Sequence, residues 1–130
     1  MKALPIAVLG LMLACAPAIQ SNGLREVVTE RLYFGRNVAN TLAVSDSAWA
    51  IFLREVVSAR LSDGFTVWPA EGEWRSLGGA RREPSFVIEV VHPPRSAAAD
   101  SAIVAIIAEY KRRFGQESVL RVVTAARASF

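Results

Sequence analysis

The chain of 130 residues holds a single cysteine and a single histidine. One cysteine excludes an intrachain disulfide and a cysteine-rich zinc site. One histidine excludes a histidine-rich metal centre and a pair of catalytic histidines. No apolar run reaches the roughly 20 residues needed to span a bilayer as a helix. Charge of one sign is not in large excess, since 15 Lys+Arg stand against 12 Asp+Glu for a net +3. A margin so small and so scattered gives no electrostatic footprint for nucleic acid. Repeats and low-complexity tracts are absent as well. The length suits one domain.

What is present begins with an export pattern. Lys2 precedes an apolar run from Ala3 to Ala14, the length of a secretory hydrophobic region. The run ends Leu11-Met12-Leu13-Ala14-Cys15, which resembles a bacterial lipoprotein cleavage site. That resemblance implies a signal peptide over residues 1–14 and a lipid on Cys15. The protein would then be exported to the periplasm and anchored to a membrane. Ala16, not an acidic residue, follows the cysteine, which in a Gram-negative cell suits the outer membrane. The alternative is ordinary cleavage after Ala16-Pro17-Ala18, leaving a soluble periplasmic protein. An exported protein seldom keeps one idle thiol, which favours the lipid. Loss of Lys2 with the leader lowers the net charge from +3 to +2. Residues 15–23 read as a short lipid-anchored tether.

The remainder, 24–130, reads as a single α+β domain. Residues 24–34 (LREVVTERLYF) are rich in β-branched and aromatic side chains and predict a strand ending at Gly35. Ser45 or Ser47 caps a predicted helix running to about Leu61, with Trp49, Phe52, Leu53, Val56 and Val57 on one face. A second strand covers 65–75. Pro69 cannot donate to a ladder, so this strand belongs at an edge or carries a bulge. A third strand covers 81–92, and its apolar centre, Phe86 to Val91, suits a central position. A second helix covers 98–114, with Gly115 placed to cap it, and residues 118–124 predict a fourth strand. The order βαββαβ is the ferredoxin-like unit. It predicts a four-stranded antiparallel sheet in spatial order 4-1-3-2, with two helices on one face. The other face is left for solvent or for a second copy, predicting a homodimer through the sheet.

Several blocks then coincide: Leu32-Tyr33-Phe34-Gly35, Val44-Ser45 with Trp49, Asp63-Gly64-Phe65-Thr66-Val67, Gly72-Glu73-Trp74, Arg82-Glu83, and Tyr110 with residues 114–121 (FGQESVLR). Together they resemble bacterial domain-of-unknown-function family 3574 over about residues 28–124. The resemblance implies a small exported α+β domain and brings no activity, substrate or catalytic residue with it. Ser62, Glu73 and Pro84 depart from the family's usual proline, glutamine and small polar or basic residue. These departures bear on the shape of two loops.

In that topology the end of strand one meets the beginnings of strands three and four and the end of strand two. One end of the sheet therefore gathers Tyr33, Arg36, Glu71, Trp74, Glu83, Gln116, Glu117 and Ser118. Aromatic surface beside convergent polar groups is the make-up of small-molecule pockets. The plainer reading treats Arg36 and Glu83 as a surface ion pair, Trp49 and Trp74 as core, and residues 116–118 as a turn. Gly78-Gly79 sits in a hairpin and makes no phosphate loop. Ser118 lacks the setting of a nucleophile elbow, and His92 reads as a loop residue with no acid to orient it toward Ser118. No cofactor and no metal is called for. Two functions follow. One is an envelope lipoprotein that binds a small ligand or a partner. The alternative is a small enzyme using Glu83, Glu117 and Tyr33, with Arg36 holding an anionic substrate.

Overall fold

The computed structural model describes residues 23–39, 41–76 and 79–130. The leader, Cys15 and nearly all of the tether lie outside the described residues, as does the side chain of Trp74. Strand β1 (Arg25–Gly35) leads into two short strands, β2 (Asn37–Val38) and β3 (Thr41–Leu42), that pair with each other. A helical stretch follows as α1 (Asp46–Phe52), a π-helical turn over Leu53–Val57, and α2 (Ser58–Arg60). Strands β4 (Thr66–Ser76) and β5 (Gly79–His92), helix α3 (Ala97–Phe114) and strand β6 (Leu120–Ala128) complete the chain. The main sheet runs β4-β5-β1-β6, antiparallel throughout. In the numbering of the four long strands this is 4-1-3-2, as the sequence pattern predicts. Pro69 lies on the edge strand β4, where its missing N–H leaves no interior ladder bond unmade. Strand β6 runs to Ala128, beyond the predicted end at residue 124.

Local chemistry explains the helix ends. The Ser45 hydroxyl accepts the Ala48 N–H at 3.2 Å, and the Ser96 hydroxyl accepts the Ala99 N–H at 3.2 Å. Each satisfies a donor that the first helical turn leaves open. Gly115 ends α3 at φ 65°, a left-handed conformation that glycine adopts without penalty.

One face of the sheet carries the core. Leu32, Phe34, Ile88 and Val90 pack with Trp49, Phe52, Val56 and Val57 from the first helical stretch and with Ile103, Ile106 and Tyr110 from α3. Burying each large apolar side chain contributes about 1.5–3 kcal/mol. The aromatic members interlock. Phe34 meets Tyr110 edge-on at 4.7 Å, and Trp49 stacks on Phe86 at 4.5 Å and 6°. Strand alternation puts Arg31, Tyr33, Val87 and Glu89 on the opposite face, which no described helix covers. Arg31 pairs there with its cross-strand neighbour Glu89 at 2.6 Å.

Candidate functional site

At Gly35 the four-stranded sheet gives way to a two-stranded arm. The last β1–β5 pair is Gly35 with Ser85. Strands β4 and β5 continue together from Glu71 opposite Pro84 to Ser76 opposite Gly79. Glu73 and Pro84, expected to shape loops, are therefore ladder residues of this arm. The arm, β2 and the turn between α3 and β6 surround an open cleft of about 1060 Å³. Of the eight residues singled out from the sequence, Tyr33, Glu71, Glu83, Gln116, Glu117 and Ser118 line it, together with Asn37, Glu73 and Arg81.

The floor of the cleft is built from the core upward. The buried Tyr110 ring places its hydroxyl to donate to the Gly35 carbonyl at 2.8 Å. Burial, reinforced by the Glu83 charge and opposed by Arg36, holds the phenol well above its usual ionisation range. Glu83 crosses from β5 and one carboxylate oxygen accepts the Asn37 N–H at 3.0 Å. The Gln116 amide donates to the Asn37 carbonyl at 3.0 Å. Both backbone groups of Asn37 are thus held by side chains that line the cleft. Gly35 leaves room for this. A Cβ there would collide with the Glu83 carboxylate, coming within 2.8 Å of its carbon.

Arg36 is placed differently from the expectation that it would face the cleft. Its guanidinium donates to the Val44 carbonyl at 2.9 Å and to Asp46 at 2.6 Å, and it lies 4.7 Å from the centre of the Phe86 ring. Its backbone carbonyl accepts the N–H groups of Ala43 and Val44. Arg36 therefore ties the end of β1 to the start of α1. Trp49 is core, 4% exposed. Pairing of β2 with β3 brings Asn37 into the cleft, and strands of two residues carry no periodic signal.

His92 and Ser118 lie at opposite ends of the sheet. His92 pairs with Val28 near the start of β1, whereas Leu120, just past Ser118, pairs with Tyr33 near its end. No Ser–His couple exists between them. His92 does have an acid partner. Its Nε2 lies 3.1 Å from Glu30, and its Nδ1 donates to the Pro93 carbonyl at 2.8 Å. Glu30 is only 2% exposed. Arg121 binds both of its oxygens, at 2.5 and 2.8 Å, and reaches Asp100 of α3 at 2.7 Å. The Arg121 hydrogen bond is the main cause that lowers the Glu30 ionisation range, against the desolvation that opposes it. A sequence signal for this network did exist: Glu30 falls in the same alternation as Leu32 and Phe34. A carboxylate on a buried face requires partners. Among the described residues no cluster of three or more His, Cys, Asp or Glu is arranged to hold a metal ion.

Comparison with known proteins follows the same outline. A family described as "Protein of unknown function (DUF3574)" matches residues 29–130. No curated protein matches the chain. Among solved structures, a phage SAM lyase in complex with S-methyl-5'-thioadenosine superposes with a TM-score of 0.58 at 14% identity. That match covers 80% of this chain and 90% of the lyase. CutA from Synechococcus elongatus PCC7942 superposes with a TM-score of 0.55 at 11% identity, covering 83% of this chain and 87% of CutA. At such identities the likeness is one of fold.

Proposed function

The chain belongs to the DUF3574 family, which carries no assigned activity, and we propose that it is an exported envelope lipoprotein whose domain binds a small ligand in the cleft at the sheet end. The observation that carries the binding reading is convergence. Six residues from four separate segments (β1, β4, β5 and the turn before β6) line one cleft. The lining is rich in carboxylates, Glu71, Glu73, Glu83 and Glu117, and among the described residues Arg81 is the cation beside them. Such a lining favours a ligand with cationic or hydrogen-bond-donating groups. The leader and Cys15 support the export reading, with a lipid on Cys15 holding the domain at the periplasmic side of a membrane. Among the described residues no helix is long and apolar enough to cross a membrane.

Two experiments test this. Cys15→Ser should release the protein from the membrane fraction, and unchanged fractionation counts against the anchor. For the cleft, the phage lyase suggests a first probe. Titration with S-methyl-5'-thioadenosine and with the sulfonium SAM, on wild type and Glu83→Gln, should show binding that weakens about tenfold in the variant, the loss of one charge-assisted contact. Binding that Glu83→Gln leaves unchanged would put the ligand elsewhere, and failure of both probes would remove nucleosides of this kind.

A second reading, an enzyme acting through the carboxylates, draws on one observation. Glu83 is fixed by the Asn37 N–H, the kind of second contact that orients a general base. Consumption of SAM by the wild type that Glu83→Gln abolishes while binding persists would select this reading over simple binding.

A further inference from the structure

No described helix covers the face of the sheet opposite the core, and aliphatic side chains stand half-exposed on it beside Arg31, Glu89 and several threonines. Val91 and Val122 are each 38% exposed and Leu120 is 46% exposed. Val87, on the same face between its register neighbours Tyr33 and Trp68, is already buried, so Val91, Val122 and Leu120 make up the exposed apolar part. Among the described residues the charges near its middle are Arg31 and Glu89, already joined at 2.6 Å. Half-exposed aliphatic side chains on a sheet face that no described helix covers are the kind of surface that a partner can bury.

We propose that this face binds a second copy of the same chain, and that the partner copy covers the mouth of the cleft. Three features select a second copy over an unrelated partner. First, the patch is neutral and self-complementary although the chain carries +3. Two copies related by a two-fold axis near Arg31 and Glu89 set each cation beside the other copy's anion. A face shaped for a charged partner would carry an excess of one sign. Second, the size fits. Four strands at about 4.8 Å spacing and roughly nine residues of paired length give a face about 20 Å by 30 Å. That is about 600 Å² in plan and more when its relief is counted, close to the roughly 800 Å² each partner buries in a stable complex. Third, the face and the cleft are continuous. Tyr33, Ser85 and Leu120 line the cleft and belong to the same strand alternation as Arg31, Glu89 and Val122. A copy seated on the face therefore reaches the cleft's open side, and the site is incomplete in the monomer.

The test is sedimentation equilibrium on the full-length chain in density-matched detergent, from low to high micromolar concentration. The wild type should associate. Val122→Asp should weaken association about a hundredfold, because it sets a second carboxylate beside the Arg31–Glu89 pair and buries a net negative charge in each copy's face. Val122→Thr should weaken it far less, and both variants should keep the wild-type circular dichroism. A strict monomer at every concentration overturns the proposal, as does a Val122→Asp variant that associates as the wild type does. A monomer whose face is protected from hydrogen exchange also overturns it, assigning the face to the chain's own N-terminal segment. The cleft reading fails separately: association without ligand binding sinks that reading alone, and ligand binding by a monomer sinks this one alone.

Discussion

The Glu83 carboxylate occupies the space that Gly35 leaves by having no side chain. What binds the carboxylate there is the Asn37 N–H. A methyl group on Gly35 meets only the far end of a flexible side chain, so the backbone need not move. Gly35→Ala should therefore displace the carboxylate and cost about one charge-assisted hydrogen bond, roughly 1.5 kcal/mol. Glu83→Ala alone should cost a similar amount. The double variant should cost little more than either single one, since both remove the same contact. Chemical denaturation of the four proteins checks this, and full additivity would refute the coupling.

Acid should destabilise the fold through Glu30. Its folded ionisation range lies below the ordinary value of 4.5, chiefly through the Arg121 hydrogen bond. A lowered folded pKa stabilises the native state at pH values above the unfolded one. That stabilisation is lost as pH falls below about 4.5 and through the lowered value. Glu30→Gln should flatten this acid limb, as read from unfolding midpoints across the acidic range. A variant with the wild-type pH slope would contradict the assignment.

Removing Arg121 should be worse than removing Glu30. Arg121→Ala leaves a carboxylate that is 2% exposed with only His92 beside it. Breaking a buried pair from one side costs about 3–5 kcal/mol, and the remaining histidine puts this case near 3. Replacing both, Glu30→Leu with Arg121→Met, should recover most of the loss, because no buried charge is then left alone. Thermal melts of the two variants decide it.

Arg36→Ala separates structure from recognition. Loss of the bonds to Val44 and Asp46 and of the contact with Phe86 should cost about 1–2 kcal/mol. Affinity of the cleft for its ligand should stay within about twofold, because the guanidinium points away from it. A tenfold loss of affinity with unchanged stability would restore Arg36 as a ligand-binding residue.

Tyr110 should remain protonated in the alkaline range where an ordinary tyrosine ionises, because burial raises its phenol. A raised folded pKa stabilises the native state below pH 10 and loses that contribution as pH climbs above it. Tyr110→Phe should leave the phenolate absorbance of the folded protein unchanged on titration to the onset of alkaline unfolding.

Strand order was legible because it follows from element order and alternation. Pro69 marked the edge, and the apolar centre of β5 marked the interior. The gathering of Tyr33, Glu83 and Gln116 followed from antiparallel topology alone. Side-chain direction did not. Arg36 sits one residue past Gly35, where the strand ends and alternation no longer says which way a side chain turns. The acid partner of His92 depended on register: Glu30 and His92 are 62 residues apart, and only the pairing of Val28 with His92 brings them together. The paired strands β2 and β3, of two residues each, are too short for any period to show.

Beyond Glu83 and Pro84, which hold the backbone of Asn37 and Arg36, the arm of β4 and β5 forms its ladder with itself, and none of its described side chains is in the buried apolar cluster. Insertions or deletions made in matched steps on both strands would lengthen or shorten it without disturbing the packing beneath. The height of the cleft wall is thus free to vary among descendants of this fold at little expense to folding. Selection acting on what the cleft admits has a dial that selection for stability does not hold.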